Sequence, residues 1–347
     1  MELAGAGDMD GKPESEWERA NQPTLPQTLA GRHRWKTVQV RLHPVGFARS
    51  MTTPSQTVIF LHIPKTGGTT FHRILERHFA RNQTLTFDGR HHRDEIERFA
   101  KLPEPQRARY RLVKGHLYFG FHRLVPGNST YLTFLREPVA RALSFYSYAR
   151  SHSDHYLYRS LTEERLELRT LLERGTTAEL LNLQTRMIAG ESNLDRSLDR
   201  SALERAKQNL QANFCFVGLT EEFDASLILL SRTFDWSLPF YVKKNVSRKK
   251  SRPENIDAQT HALLRQANAL DLELYEFAQK LFDAQLRNAG DSFEYELRRF
   301  QRLNFLGARA YQHYDNLIQS VKQVLGRRES SRSLAGLKQT RDDSSIE

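Results

Sequence analysis

The chain has 347 residues, enough to bury the core of one large α/β domain or of two small ones. Hydrophobic residues make up 39% and charged residues 27%, and no apolar run approaches the ~18 residues a transmembrane helix needs, so no membrane-spanning anchor of that kind is expected. The formal net charge of +11 suits an anionic partner, and the lack of a helix-turn-helix, zinc-finger or RNP signature turns the reading away from nucleic acid.

Residues 1–54 are polar, rich in Gly, Pro, Arg and Gln and without sustained period, so they read as a poorly ordered extension. The first ten residues have neither a basic start nor an apolar segment, unlike a signal peptide. With one cysteine, Cys215, in the apolar stretch Phe214 to Val217, an intramolecular disulfide framework is excluded and a cytoplasmic location is expected.

Val58, Ile59, Phe60 and Leu61 read as a strand buried on both faces, ended by Pro64, which cannot donate to a ladder. Lys65, Thr66, Gly67, Gly68, Thr69 and Thr70 form a polar turn, and Phe71, Ile74, Leu75 and Phe79 carry helical spacing onward to about residue 82. Strand, tight loop and helix N-terminus make a phosphate cradle, because the first helical N–H groups and the helix dipole point at one spot and glycines admit the anion. The lysine precedes the glycines, so the Walker A order, with its lysine after them, is not met.

Asp94 to Leu102 suggests a short helix, Tyr110 to His116 a second strand and Thr130 to Arg136 a third. Pro138 opens a helix to about Arg150. Ser160 and Glu163 form a capping box ahead of a helix to Arg174, Thr177 to Ala189 gives another, and Ser201 to Asn213 a third. Phe214 to Leu219 is a fourth strand, Thr220 caps a helix over Glu221 to Phe234, and Lys243 to Arg252 is a basic loop. Asp257 to Asn288 is helical with a break near Asp271, Ser292 to Leu325 is a long helix, and the Ser- and Arg-rich tail from Gly326 reads as disordered. Strands separated by helices imply a parallel sheet between helical layers, with ligands gathered at the strands' carboxyl ends. The domain reading is therefore 1–54 extension, 55–290 α/β domain, 291–325 helix and 326–347 tail.

Arg136 at a strand end and Ser144 on the next helix can share one phosphate, the guanidinium giving bidentate bonds. His116 sits at the carboxyl end of another strand, where an imidazole suits a general base. His62, His122, His91 and His92 are its rivals, and no spacing is that of a zinc site.

His62-Ile-Pro-Lys-Thr-Gly-Gly-Thr69 and Leu135-Arg-Glu-Pro-Val-Ala-Arg-Ala-Leu-Ser144 resemble the two donor-binding motifs of the sulfotransferases that include the heparan sulfate 2-O- and 6-O-enzymes. Gly115-His116 resembles the Gly-His of the 2-O branch, Asn182 to Gly190 a helical segment of the 6-O branch, and Phe216 to Phe223 the family's strand-to-helix turn. The resemblance implies a P-loop-like three-layer α/β/α fold that uses 3′-phosphoadenosine-5′-phosphosulfate, without metal, to sulfate a hydroxyl, that of a carbohydrate before any other. In that family's terms Lys65, Thr66, Gly67, Gly68, Thr69 and Thr70 grip the 5′-phosphosulfate end, and Arg136 and Ser144 bind the 3′-phosphate. Ser247, Arg248 and Lys249 would close over the adenosine, His116 would be the base, Lys65 would stabilise the leaving phosphate, and Gln184 and Arg186 would line the acceptor cleft. A nucleotide-dependent kinase on the same scaffold and a non-catalytic polyanion or nucleic-acid binder stand as alternatives. Acceptor identity and oligomeric state stay open.

Overall fold

The computed structural model describes residues 56–87, 92–175, 177–237, 241 and 256–307. The expected extension 1–54, the helix beyond residue 307, the tail and the basic loop with Ser247, Arg248 and Lys249 lie outside the described residues. Among the described residues no helix is long and apolar enough to cross a membrane.

Five strands, β1 (Thr57–Leu61), β2 (Thr84–Phe87), β3 (Leu112–Gly115), β4 (Ser129–Leu135) and β5 (Phe214–Leu219), form one parallel sheet in the order β2-β3-β1-β4-β5. Every residue of β1 is buried, as its unbroken apolar run requires of a central strand covered on both faces. Strand β2 is an addition to the expected set: only four residues long, it follows a 3₁₀ turn at Arg81–Gln83 and pairs on one side with β3. The chain leaves β1 toward β2 and leaves β4 toward β5, so the two adjacent strands send their connections in opposite directions. Their carboxyl ends form the switch point at which parallel α/β sheets take ligands.

Helices α1 (Gly68–Leu75), α2 (His92–Ala100), α3 (Glu104–Ala108) and α4 (Pro138–Ser151) follow in order. Pro138 takes the first helical position of α4, and the Glu137 carboxylate accepts from the N–H groups of Val139 and Ala140 at 3.1 and 2.6 Å. Beyond α4, the helices are α5 (Tyr158–Thr162), α6 (Leu168–Arg174), α7 (Leu183–Ala189), α8 (Arg200–Asn213), α9 (Phe223–Phe234), α10 (Ala258–Ala267) and α11 (Ala269–Asn288). A further helix covers 293–307 and buries Phe293 and Phe300.

Several expected boundaries move. The first helix stops at Leu75 and not near residue 82. Ser160 lies inside α5 and caps nothing; the chain turns at Arg165, whose φ is +54°, so that Leu168, Leu171 and Leu172 reach a second apolar core with Val139, Phe145 and Leu264. Asn182, at φ +48°, divides the expected helix over Thr177 to Ala189. The break expected near Asp271 falls at Asn268. Helix α9 starts at Phe223, and Thr220 serves the site instead of capping it.

Asn182 and Asn268 join the starts of α7 and α11. The Asn182 side-chain oxygen accepts from the N–H groups of Leu270 and Asp271, and the Asn268 oxygen accepts from the Asn182 N–H at 3.2 Å. Fully buried Asp271 in turn accepts from the N–H groups of Gln184 and Thr185 at 3.1 and 2.7 Å. Each helix thus supplies acceptors for the other's orphan N–H groups.

Candidate active site

The loop after β1 bends through two left-handed residues, Lys65 at φ +72° and Gly67 at φ +83°. For lysine that conformation costs on the order of 1–2 kcal/mol, so surrounding structure must hold it. Thr66 is buried and its hydroxyl donates to the Ile63 carbonyl oxygen at 2.8 Å. That turns its side chain into the loop and corrects its expected place as a hydroxyl facing the ligand. Helix α1 begins at Gly68 with no side-chain cap, leaving its first N–H groups to whatever occupies the cleft. Gly68 also makes room for a ring. A Cβ there would sit 1.7 Å from Nε2 of His62, so the glycine is the slot for that imidazole.

At the end of β4, an Nη1–H of Arg136 donates to the Lys65 carbonyl oxygen at 3.1 Å, joining the two strand ends. Gln184 holds the Arg136 backbone on both sides, accepting from its N–H at 3.0 Å and donating to its carbonyl at 2.9 Å. The Thr220 hydroxyl lies 3.0 Å from the carbonyl oxygens of both Thr66 and Leu135, tying the loop to β4. Burial, and then the Arg136 charge, hold the Lys65 ammonium down to about pKa 8. Burial lowers Arg136 too, opposed by Glu221 and Glu137. Neither cation forms an ion pair among the described residues.

His116 lies beside the end of β1. Its Nδ1 is 2.9 Å from the carbonyl oxygen of His62; a carbonyl only accepts, so the neutral ring carries its proton on Nδ1 and its lone pair on Nε2. The His62 ring stacks on His116 with centroids 4.5 Å apart, and its Nδ1 is 3.0 Å from Nε2 of His72. Burial, followed by the neighbouring His116 and His72, holds His62 well below the ordinary imidazole range. Burial, then Lys114 and His116, pushes His72 down to about 3. Both rings are therefore neutral at physiological pH.

Lys65, Gly67, Gly68, Thr69, Thr70, His116, Arg136 and Ser144, all expected from sequence, line one open cleft of about 1530 Å³. Gln184 and Arg186 do not. Gln184 is fully buried on the Arg136 backbone, and Arg186 donates to the carbonyls of Asn193 and Arg196 at 2.7 Å each. The face of α7 that reaches the cleft is the one carrying Leu183 and Met187. Arg141, between Arg136 and Ser144 in sequence, is fully buried and donates to the Glu179 carbonyl at 2.6 Å, so it is no solvated charge. Sequence reading missed Tyr148, Thr220 and the carboxylates Asp94, Glu97 and Glu179 on the cleft wall. Tyr148 had a signal, four residues past Ser144 on the same helix, whereas Thr220 had none. Among the described residues no three His, Cys, Asp or Glu side chains are grouped to hold a metal ion.

The sequence profile of the family described as galactose-3-O-sulfotransferase matches residues 36–304. Galactose-3-O-sulfotransferase 3 of Homo sapiens is 29% identical over 252 residues, which cover 67% of this chain and 58% of the relative. Heparan-sulfate 6-O-sulfotransferase 2 of Danio rerio is 29% identical over 282 residues, 65% of this chain and 58% of the relative. Heparan sulfate 2-O-sulfotransferase 1 of Homo sapiens is 26% identical over 249 residues, 65% of this chain and 70% of the relative. The chain thus spans little more than half the length of the first of these relatives. With a parallel sheet whose switch point carries both donor-type motifs, and a profile that matches most of its length, the chain belongs to the galactose-3-O-sulfotransferase family.

Proposed function

We propose that this protein transfers a sulfuryl group from 3′-phosphoadenosine-5′-phosphosulfate to a carbohydrate hydroxyl. The observation that carries the reading is the pair Lys65 and Arg136, two cations joined through the Lys65 carbonyl beside an uncapped helix start, in the same cleft as His116. Such a site fits a donor with two separated anionic groups: Lys65 and the start of α1 for the 5′ end, Arg136 and Ser144 for the 3′-phosphate. When bound, the donor supplies the sulfuryl group and departs as adenosine 3′,5′-bisphosphate with increased charge on its 5′-phosphate. Lys65 and the α1 N–H groups are preorganised to stabilise that charge. His116, with its proton fixed on Nδ1, accepts the acceptor's hydroxyl proton at Nε2.

Elsewhere the cleft presents Tyr118, Phe119 and Phe121 together with the carboxylates of Asp94 and Glu97 and the guanidinium of Arg123. Aromatic faces stack on the apolar faces of sugar rings, and carboxylates accept from sugar hydroxyls but repel polyanions. An uncharged saccharide is therefore the acceptor class this wall supports, in line with the galactose in the name of the matched family.

The test is calorimetric titration of adenosine 3′,5′-bisphosphate in EDTA, with ATP as control, followed by turnover of His116→Ala. Metal-free binding that Arg136→Ala weakens, and a His116→Ala variant that keeps this affinity but loses turnover, are expected. A preference for Mg-ATP, or an undiminished rate in His116→Ala, overturns the reading.

A further inference from the structure

The Lys65 ammonium sits over the ring of Tyr148, 4.0 Å from its centroid. The charged and titratable groups facing it are Arg136 from the end of β4, His62 from the end of β1, His155 from the segment after α4, and Tyr148 itself. The first is a cation that repels the ammonium, and burial keeps both imidazoles below the ordinary range. Among the described residues no carboxylate pairs with Lys65. A lysine carries about 2 kcal/mol of side-chain entropy that something must offset to keep it in one place. The ring face of an aromatic residue is negatively polarised and does this without neutralising the charge. Tyr148 is itself braced: the His152 ring lies 3.8 Å away between centroids, and His155 meets it edge-on at 5.7 Å.

We propose that Tyr148 is a positioning residue for Lys65, its ring face receiving the ammonium and holding it, still charged, at the mouth of the loop after β1. The use of that charge rests on the reading of the cleft as a donor site; the positioning itself does not. A carboxylate in the same place would cancel the charge that an anionic ligand has to meet, whereas a ring face leaves it intact. Tyr148 is 36% exposed on α4, so replacing it does not open the core.

The experiment follows the amine reactivity of Lys65 toward acetic anhydride from neutral to alkaline pH, read by mass spectrometry on the full chain. Wild type, Tyr148→Leu and Tyr148→Phe are compared, beside calorimetric affinity for adenosine 3′,5′-bisphosphate. Tyr148→Leu should make Lys65 reactive at lower pH and weaken bisphosphate binding about 3- to 10-fold. Tyr148→Phe, which keeps the ring face, should restore both. Lys65 titrating in Tyr148→Leu as in wild type, or Tyr148→Phe behaving like Tyr148→Leu, overturns the assignment. If wild type fails to bind the bisphosphate, the donor-site reading falls, while the labelling profile still decides the role of Tyr148.

Discussion

Arg136 donates to the backbone oxygen of Lys65 at 3.1 Å, so the strand end that carries one cation also fixes the loop that carries the other. The two motifs are 71 residues apart in sequence and meet through this bond.

Arg136→Ala should therefore do more than delete a ligand. It removes the guanidinium and releases the left-handed loop at Lys65, and affinity for adenosine 3′,5′-bisphosphate should fall about 10- to 100-fold, as for loss of a charge-assisted hydrogen bond. Arg136→Met should also raise the Lys65 pKa from about 8, because a like charge is gone. Calorimetry reads the first effect and pH-dependent amine labelling the second.

Binding of an anionic donor should depend on pH through Lys65. The ammonium is charged below about 8 and neutral above it, so bisphosphate affinity should decline as pH rises through that value from a plateau above the second phosphate ionisation, at about pH 6. Affinity measured across this range in Lys65→Arg, whose charge persists, should lack the decline.

Gly68→Ala places a methyl group 1.7 Å from Nε2 of His62, inside van der Waals contact. Overpacking of this kind costs about 1–3 kcal/mol, and because His62 stacks on His116 that ring is displaced as well. Denaturant unfolding should show the loss, and adding His62→Ala to Gly68→Ala should recover part of it, a coupling that a double-mutant cycle measures.

Asp271→Ala removes the acceptor for two N–H groups of α7 and the carboxylate facing buried Arg141. Leaving buried N–H groups without an acceptor costs about 1–3 kcal/mol each. Thermal unfolding should register it, and Asp271→Asn, which keeps one acceptor oxygen, should lose less.

The parts of this molecule written locally were legible. Apolar β1, the proline and glycines after it, Pro138 at the start of α4 and the His116 strand end all announce their conformation within a few residues, and the structure brings Pro64, the two glycines and His116 into one cleft. What was illegible depends on partners far along the chain. Gln184 looks like any polar helical residue until the Arg136 backbone lies against it, and Thr220 resembles a helix cap until Thr66 and Leu135 turn their carbonyls to it. Arg165 takes a left-handed conformation against its intrinsic helical preference, and Asn182, a residue that tolerates that conformation, interrupts an apolar spacing that runs on past it, so neither break could be read from periodicity.

The mutual capping of α7 and α11 makes the backing of Arg136 depend on residues far along the chain. Arg136 is oriented by Gln184, Gln184 lies in the first turn of α7, and that turn is closed by Asp271. During synthesis the loop after β1 and the end of β4 leave the ribosome long before Asp271 does. Both motifs are therefore synthesised before the residue that closes the turn carrying Gln184, and the support Gln184 gives the Arg136 backbone comes from a late part of the chain.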